Sequence, residues 1–107
     1  SWPGALLGLA PIRIYGSALA AQVVDAQRDT VRVDSRMELS AKPYQMWIQD
    51  VGWQEIVNWA GPWPLDEHWW DYKRQRQCAR FQVVVDDGSA HLLVIEAGRW
   101  WVEATYD

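Results

Sequence analysis

The chain has 107 residues, of which 50% are hydrophobic and 22% are charged, a length and balance typical of one soluble globular domain. This composition excludes disorder over the whole length, and no apolar run approaches the roughly 18 residues of a membrane-spanning helix. A formal net charge of −4 argues against strong nucleic-acid binding, because that affinity comes largely from neutralising phosphates.

The sequence of the N-terminal half predicts strands joined by polar turns. Residues 1–11 are interpreted as a linker or entry segment, and 12–107 as a single β-rich domain. Because the chain begins with Ser1 rather than Met, we expect it to be a fragment of a longer protein. Short runs of apolar and β-branched residues predict strands at 12–15, 20–25, 30–34, 44–49 and 54–59.

The segment WAGPWPLDEHWWDY, residues 59–72, is the most unusual part of the sequence. Pro62 and Pro64 bracket Trp63 and stiffen the backbone around it. Because proline cannot donate to a sheet, this segment is predicted to be a rigid connector rather than a central strand. At most one short helical turn is expected, near 65–73, with Asp66 as its N-cap.

The C-terminal third predicts a three-stranded antiparallel meander. Runs rich in β-branched and aromatic residues at 80–86, 90–96 and 99–106 are separated by Asp87-Gly88 and Ala97-Gly98, and Asp-Gly is a strong signal for a two-residue hairpin turn. Two such turns pair Val83 with Leu92 and Ile95 with Trp100. Both faces of this sheet are then apolar, so we expect both to be covered, one by the rest of the domain and the other by a partner.

Together these elements predict an all-β fold: a small antiparallel β-barrel or sandwich of six to eight short strands. The chain has nine tryptophans but only one phenylalanine, which exceeds what one small core needs. Because adjacent residues of a strand point to opposite faces, only one member of the Trp100/Trp101 pair is expected to face outward.

Tryptophan is enriched at the energetic centres of protein interfaces, and arginine suits their polar rim. We therefore predict a partner-binding site drawn from Trp63, Trp69, Trp70, Trp100, Trp101, Arg74 and Arg76. The alternatives are that the tryptophans plug one end of a barrel, and that the basic residues are a solvated strand edge.

No residue pattern points to catalysis. The chain has no serine in a nucleophile elbow, and the acidic residues around His68 match no metal or acid–base motif. The single cysteine, Cys78, excludes an internal disulfide and a cysteine-rich zinc site. We expect no enzyme activity, no metal and no cofactor, and a reducing, cytoplasmic setting.

Four stretches resemble one protein family: WPG at 2–4, VDSRMELS at 33–40, GPWPLDEHWWD at 61–71 and GRWWVEATYD at 98–107. Together they are similar to the C-terminal region of ImuB-type proteins, the Y-family-polymerase-like components of the bacterial inducible mutagenesis machinery. His68 and Tyr72 depart from the pattern, since a basic residue and a proline are more usual at these two positions.

The resemblance implies a non-catalytic adapter in error-prone translesion DNA synthesis after DNA damage. Its implied partners are an ImuA-type RecA-like accessory protein and an error-prone C-family DNA polymerase, with the sliding clamp reached only through other parts of the full-length protein. Two alternatives stay open: a small-barrel single-stranded DNA-binding module that stacks bases on tryptophan, and a carbohydrate-binding β-domain.

Overall fold

The computed structural model describes residues 11–64 and 78–106, which form one closed antiparallel barrel. Each strand pairs with the next along the chain, and β1 also pairs with β6 to close the barrel. The predicted small all-β barrel is thus confirmed, with six strands. They are β1 Pro11–Val24, β2 Gln45–Ile48, β3 Gly52–Pro64, β4 Cys78–Val85, β5 Ala90–Glu96 and β6 Arg99–Tyr106.

The described residues include no helix, and hence none long and apolar enough to cross a membrane. The helical turn predicted near 65–73 lies outside the described residues, as does most of the proposed entry segment at 1–11. Strand β1 has 14 residues and β3 has 13, so both are longer than the strands predicted from the sequence.

Alternate residues of the strands fill the barrel interior. The single phenylalanine, Phe81, is fully buried and meets Trp100 edge to face, with ring centroids 5.4 Å apart, a favoured arrangement for aromatic pairs. The Trp100 indole Nε1–H donates a hydrogen bond to the Val31 carbonyl oxygen at 3.0 Å. The other large interior side chains are Met46, Ile48, Leu93 and Ile95, with valines between them.

A long connection from residue 25 to 44 replaces the strand predicted at 30–34, which contributes only isolated bridges. Asp25 and Asp34 each begin a tight turn, and each carboxylate accepts hydrogen bonds from two backbone amides further along that turn. Arg28 and Met37 hold the matching left-handed position in these two turns, at φ 69° and 62°. The Trp100–Val31 hydrogen bond ties this connection to the barrel interior.

Strand β3 continues through Pro64, so the prediction that this stretch is only a connector was wrong. Trp63 pairs with Arg80 and Pro64 with Ala79 on β4. The two prolines are tolerated because Pro62 falls in a bulge between Ala60 and Trp63 and Pro64 is the last residue of the strand. Bulges and strand ends are the places where a missing N–H costs no ladder hydrogen bond.

Replacing Gly61 with alanine is expected to destabilise the barrel by at least about 1 kcal/mol, because its φ of 107° is unfavourable for any residue with a Cβ. A Cβ there would also lie 3.1 Å from both the Arg80 carbonyl oxygen and Phe81 Cδ1. Urea unfolding should show the loss. Gly16→Ala is the matched control, since nothing lies within 4 Å of its Cβ, and equal stability of both variants would contradict the argument.

The register of the β4–β5 hairpin differs from the predicted one by one residue, since Val83 pairs with His91 rather than with Leu92. Gly88 N–H donates to the Val85 carbonyl oxygen at 2.9 Å, and among the two central residues only Gly88 has a positive φ. Asp87-Gly88 thus belongs to a three-residue loop with a glycine bulge, not a two-residue turn. The predicted Ile95–Trp100 pair in the next hairpin is present.

Both faces of the β4–β5 hairpin are covered within the chain itself, so the predicted cover is present without the partner that was expected on one face. Every residue of Cys78–Val85 and Ala90–Glu96 is buried or half-buried. Cys78 itself is buried. A large surface for a partner therefore has to be sought on other strands, and the exposed large apolar side chains lie around the β2–β3 hairpin: Tyr44, Val51, Trp53 and Val57.

Candidate interaction surface

The structure separates the tryptophans of the predicted partner site. Trp100 is 3% exposed and belongs to the barrel interior, so it cannot contact a partner directly. Its neighbour Trp101 is the outward-facing member of the pair, half-buried and paired with Ala20. Trp63 is also half-buried and lies on the outside of β3, where it pairs with Arg80. The remaining predicted positions, Trp69, Trp70, Arg74 and Arg76, lie outside the described residues.

Three outward-facing tryptophans lie within four consecutive strands of the barrel, β6–β1–β2–β3, and form what we call the aromatic face: Trp47 on β2, Trp53 on β3 and Trp101 on β6. Trp47 pairs directly with Trp53 across the β2–β3 ladder. On the other side, Trp47 pairs with Gln22 of β1, and Trp101 pairs with Ala20 of the same strand. Closure of the barrel through β1 and β6 is what brings Trp101 to this face.

Between Trp47 and Trp101 runs a groove of about 360 Å³. The two tryptophans line it together with Ala20 and Gln22, and the β5–β6 turn lines one end. Alanine at position 20 leaves the space open, because its side chain is too small to fill the gap between two indoles. The face is therefore concave where most strand surfaces are flat or convex.

Two arginines lie at the margins of the aromatic face. The guanidinium carbon of Arg28 is 4.9 Å from the centroid of the Trp53 ring, within the range of a cation–π interaction. The same guanidinium donates a hydrogen bond from Nη1 to Gln45 Oε1 at 3.1 Å, which fixes it in place. Arg99 is exposed and lines the groove, and within 11–64 and 78–106 its guanidinium has no ion pair.

Trp53 is 42% exposed because of the local geometry of the β2–β3 hairpin. Asp50 and Gly52 adopt positive φ, and the tight turn they form places Val51 at its tip. Met46, Ile48 and Ile56 point into the barrel. Because side chains alternate along a strand, Trp47 and Trp53 lie on the outside. Trp47 and Trp53 were not among the predicted site residues, although each lies three residues from Asp50, and this symmetric placement about a turn is a signal for a cross-strand pair.

The described residues hold no group of three or more histidine, cysteine, aspartate or glutamate side chains that could bind a metal ion. The buried titratable group of note is His91, which is 5% exposed. Its Nδ1 lies 3.0 Å from Thr105 Oγ1, and its Nε2 is buried with no hydrogen-bond partner among the described residues. Burial lowers the pKa of His91, and the nearby Asp87 carboxylate opposes this only in part.

The stability of the domain is expected to fall as the pH drops below about 6.5. Because the pKa of His91 is lower in the folded state than in the unfolded chain, the unfolded chain takes up the proton first. The contribution of neutral His91 is therefore complete above pH 6.5 and is lost progressively below it. Urea unfolding between pH 7.5 and 5.5 should show a smaller slope for His91→Phe than for the wild type, whereas equal slopes would contradict this assignment.

Comparisons of the chain with protein-family models, with curated proteins and with solved structures found no match.

Proposed function

We propose that this domain is a non-catalytic protein-interaction module that binds its partner through the aromatic face. The observation that supports the proposal is the presence of three outward-facing tryptophans on one side of a closed barrel, two of which line a groove. Interface centres are rich in tryptophan and arginine, and both residue types lie here. A surface that exposes large aromatic rings in this way costs solubility unless a partner covers it.

The resemblance of the sequence to the C-terminal region of ImuB-type proteins supplies the proposed biological setting. In that setting the module recruits an ImuA-type RecA-like accessory protein, an error-prone C-family DNA polymerase, or both, to sites of translesion synthesis. The proposed compartment is the cytoplasm, which suits a chain that has a single, buried cysteine and hence no internal disulfide.

The direct test is to measure binding of the 107-residue chain to each of the two proposed partners separately by biolayer interferometry. The proposal expects saturable binding to at least one of them. Binding to neither partner by a folded chain would reject it.

In cells, His68→Ala should leave mutagenesis largely intact, because the module acts without catalysis. A complete loss of mutagenesis by a variant that folds normally would revive a catalytic role for His68.

Single-stranded DNA binding is the alternative, since exposed tryptophans with a neighbouring arginine can stack bases. We expect it to be weak or absent in the isolated chain, because a net charge of −4 provides little release of counterions. Fluorescence anisotropy with a labelled 30-mer oligothymidine at about 50 and 200 mM salt measures it. Submicromolar affinity that falls steeply with salt would overturn the expectation and direct attention to Arg74 and Arg76.

A further inference from the structure

The groove between Trp47 and Trp101 has room for one large side chain of a partner. Its volume of about 360 Å³ lies at the low end of the range for ligand pockets. Trp47 and Trp101 line it together with the small Ala20, and Gln22 and Thr30 add polar groups to the lining. An aromatic ring that packs on another ring contributes beyond the area that it buries.

The charge of the groove is positive. Arg99 is the one charged side chain among the described residues that line it, and it has no ion pair within that part of the chain. Arg28 lies beyond Trp53 on the same face. An exposed guanidinium that has no ion pair among the described residues is complementary to a carboxylate, which it can bind with two parallel hydrogen bonds.

The barrel also limits how a peptide can bind. At the groove, β1 is paired with β2 on one side and with β6 on the other, so this part of the described sheet offers no free edge to a partner strand. A bound segment must therefore lie across the outer face and be recognised through its side chains. The exposed Gln22, which lines the groove, offers an amide that can both donate to and accept from the backbone of such a segment.

A nucleic acid fits this site less well than a peptide. A single-stranded nucleic acid needs a basic track along several phosphates, whereas the aromatic face has two arginines and also carries the exposed Glu55, paired with Gln45 beside Arg28. A single carboxylate of a peptide, by contrast, can be paired by one guanidinium. The observations thus favour a protein segment.

The geometry points to an extended segment of a partner protein in which an aromatic side chain is followed by an aspartate or glutamate. The aromatic ring occupies the groove between Trp47 and Trp101, and the carboxylate pairs with Arg99. This inference rests on the proposed function, because it specifies what the interaction module recognises in its partner.

The test uses two small probes, acetyl-Phe-Asp-amide and acetyl-Phe-Lys-amide, titrated to about 20 mM into the ¹⁵N-labelled 107-residue chain. We expect the first probe to shift the indole N–H signals of Trp47 and Trp101 with a millimolar dissociation constant. The second probe and the Arg99→Glu variant with the first probe should give shifts at least about fivefold smaller. Arg99 is the exposed first residue of β6, across from Glu96, so its substitution leaves the interior intact, and the dispersed spectrum of the variant verifies the fold.

Three results would overturn the inference: no shift with either probe, equal shifts with both probes, or an Arg99→Glu variant that responds like the wild type. Binding of a 15-mer oligothymidine that shifts the same indole signals more strongly than the acidic dipeptide would assign the groove to single-stranded DNA instead. Failure here with intact binding of a proposed partner would reject only this inference. Failure of both partners to bind would reject the proposed function.

Discussion

Trp100→Ala is expected to lower the free energy of unfolding by about 3–5 kcal/mol, the usual loss for truncating a large buried aromatic. Trp100 is 3% exposed, packs edge to face on Phe81 and donates its indole N–H to the Val31 carbonyl oxygen. The variant loses this packing and also leaves a carbonyl of the 25–44 connection without its donor. Such a loss is a large fraction of the stability of a domain this size.

Trp100→Phe separates the two contributions. It retains a ring in the interior but removes the donor to Val31, so we expect an intermediate loss of about 1–3 kcal/mol. Urea unfolding followed by far-ultraviolet circular dichroism measures all variants without relying on tryptophan fluorescence. The adjacent Trp101→Ala should cost no more than about 1 kcal/mol, and equal losses at positions 100 and 101 would contradict the assignment of one ring to the interior and the other to the outer face.

Trp101→Ala is expected to weaken binding to the proposed partner by at least roughly thirty-fold, or about 2 kcal/mol, with the fold retained. The reason is that Trp101 forms one wall of the groove, and its indole is placed before binding by pairing of β6 with β1 and β5. Such placement limits the entropy that association loses. Titration of the variant by biolayer interferometry, with its melting curve recorded in parallel, measures both quantities.

Trp63→Ala is the matched control for this prediction. Trp63 is likewise an outward-facing, half-buried tryptophan, but it pairs with Arg80 on β4, away from the aromatic face. The Trp63→Ala variant should bind the partner with an affinity within about threefold of the wild type. If Trp63→Ala weakens binding and Trp101→Ala does not, the interface belongs to the proline-bracketed segment that the sequence first suggested.

The strand content and the antiparallel meander could be predicted from the sequence because β-branched runs and glycine turns are local signals. The register of β4–β5 could not, because Asp87-Gly88 is compatible with both a two-residue turn and a three-residue loop with a bulge. One added residue transfers a side chain to the other face. For this reason Leu92, predicted to share a face with Val83, lies instead on the opposite face.

Barrel closure explains most of what the sequence did not reveal about the candidate site. Trp101 and Trp47 are more than fifty positions apart, and only the pairing of β1 with both β2 and β6 places them around one groove. The composition indicated a surplus of tryptophan, but which of Trp100 and Trp101 lies inside depends on which face the closed sheet turns inward. The strand through Pro62 was missed because a bulge with a proline has no strand-like sequence pattern.

The most direct test of the account is to map the partner's footprint on the 107-residue chain by cross-saturation NMR, with a saturated, unlabelled partner and a deuterated, ¹⁵N-labelled domain. The account predicts that the strongest signal losses fall on the indole N–H groups of Trp47, Trp53 and Trp101 and on the backbone amides of Ala20 and Gln22. A footprint on the outer side of β4 and β5, with these five signals unaffected, would contradict it.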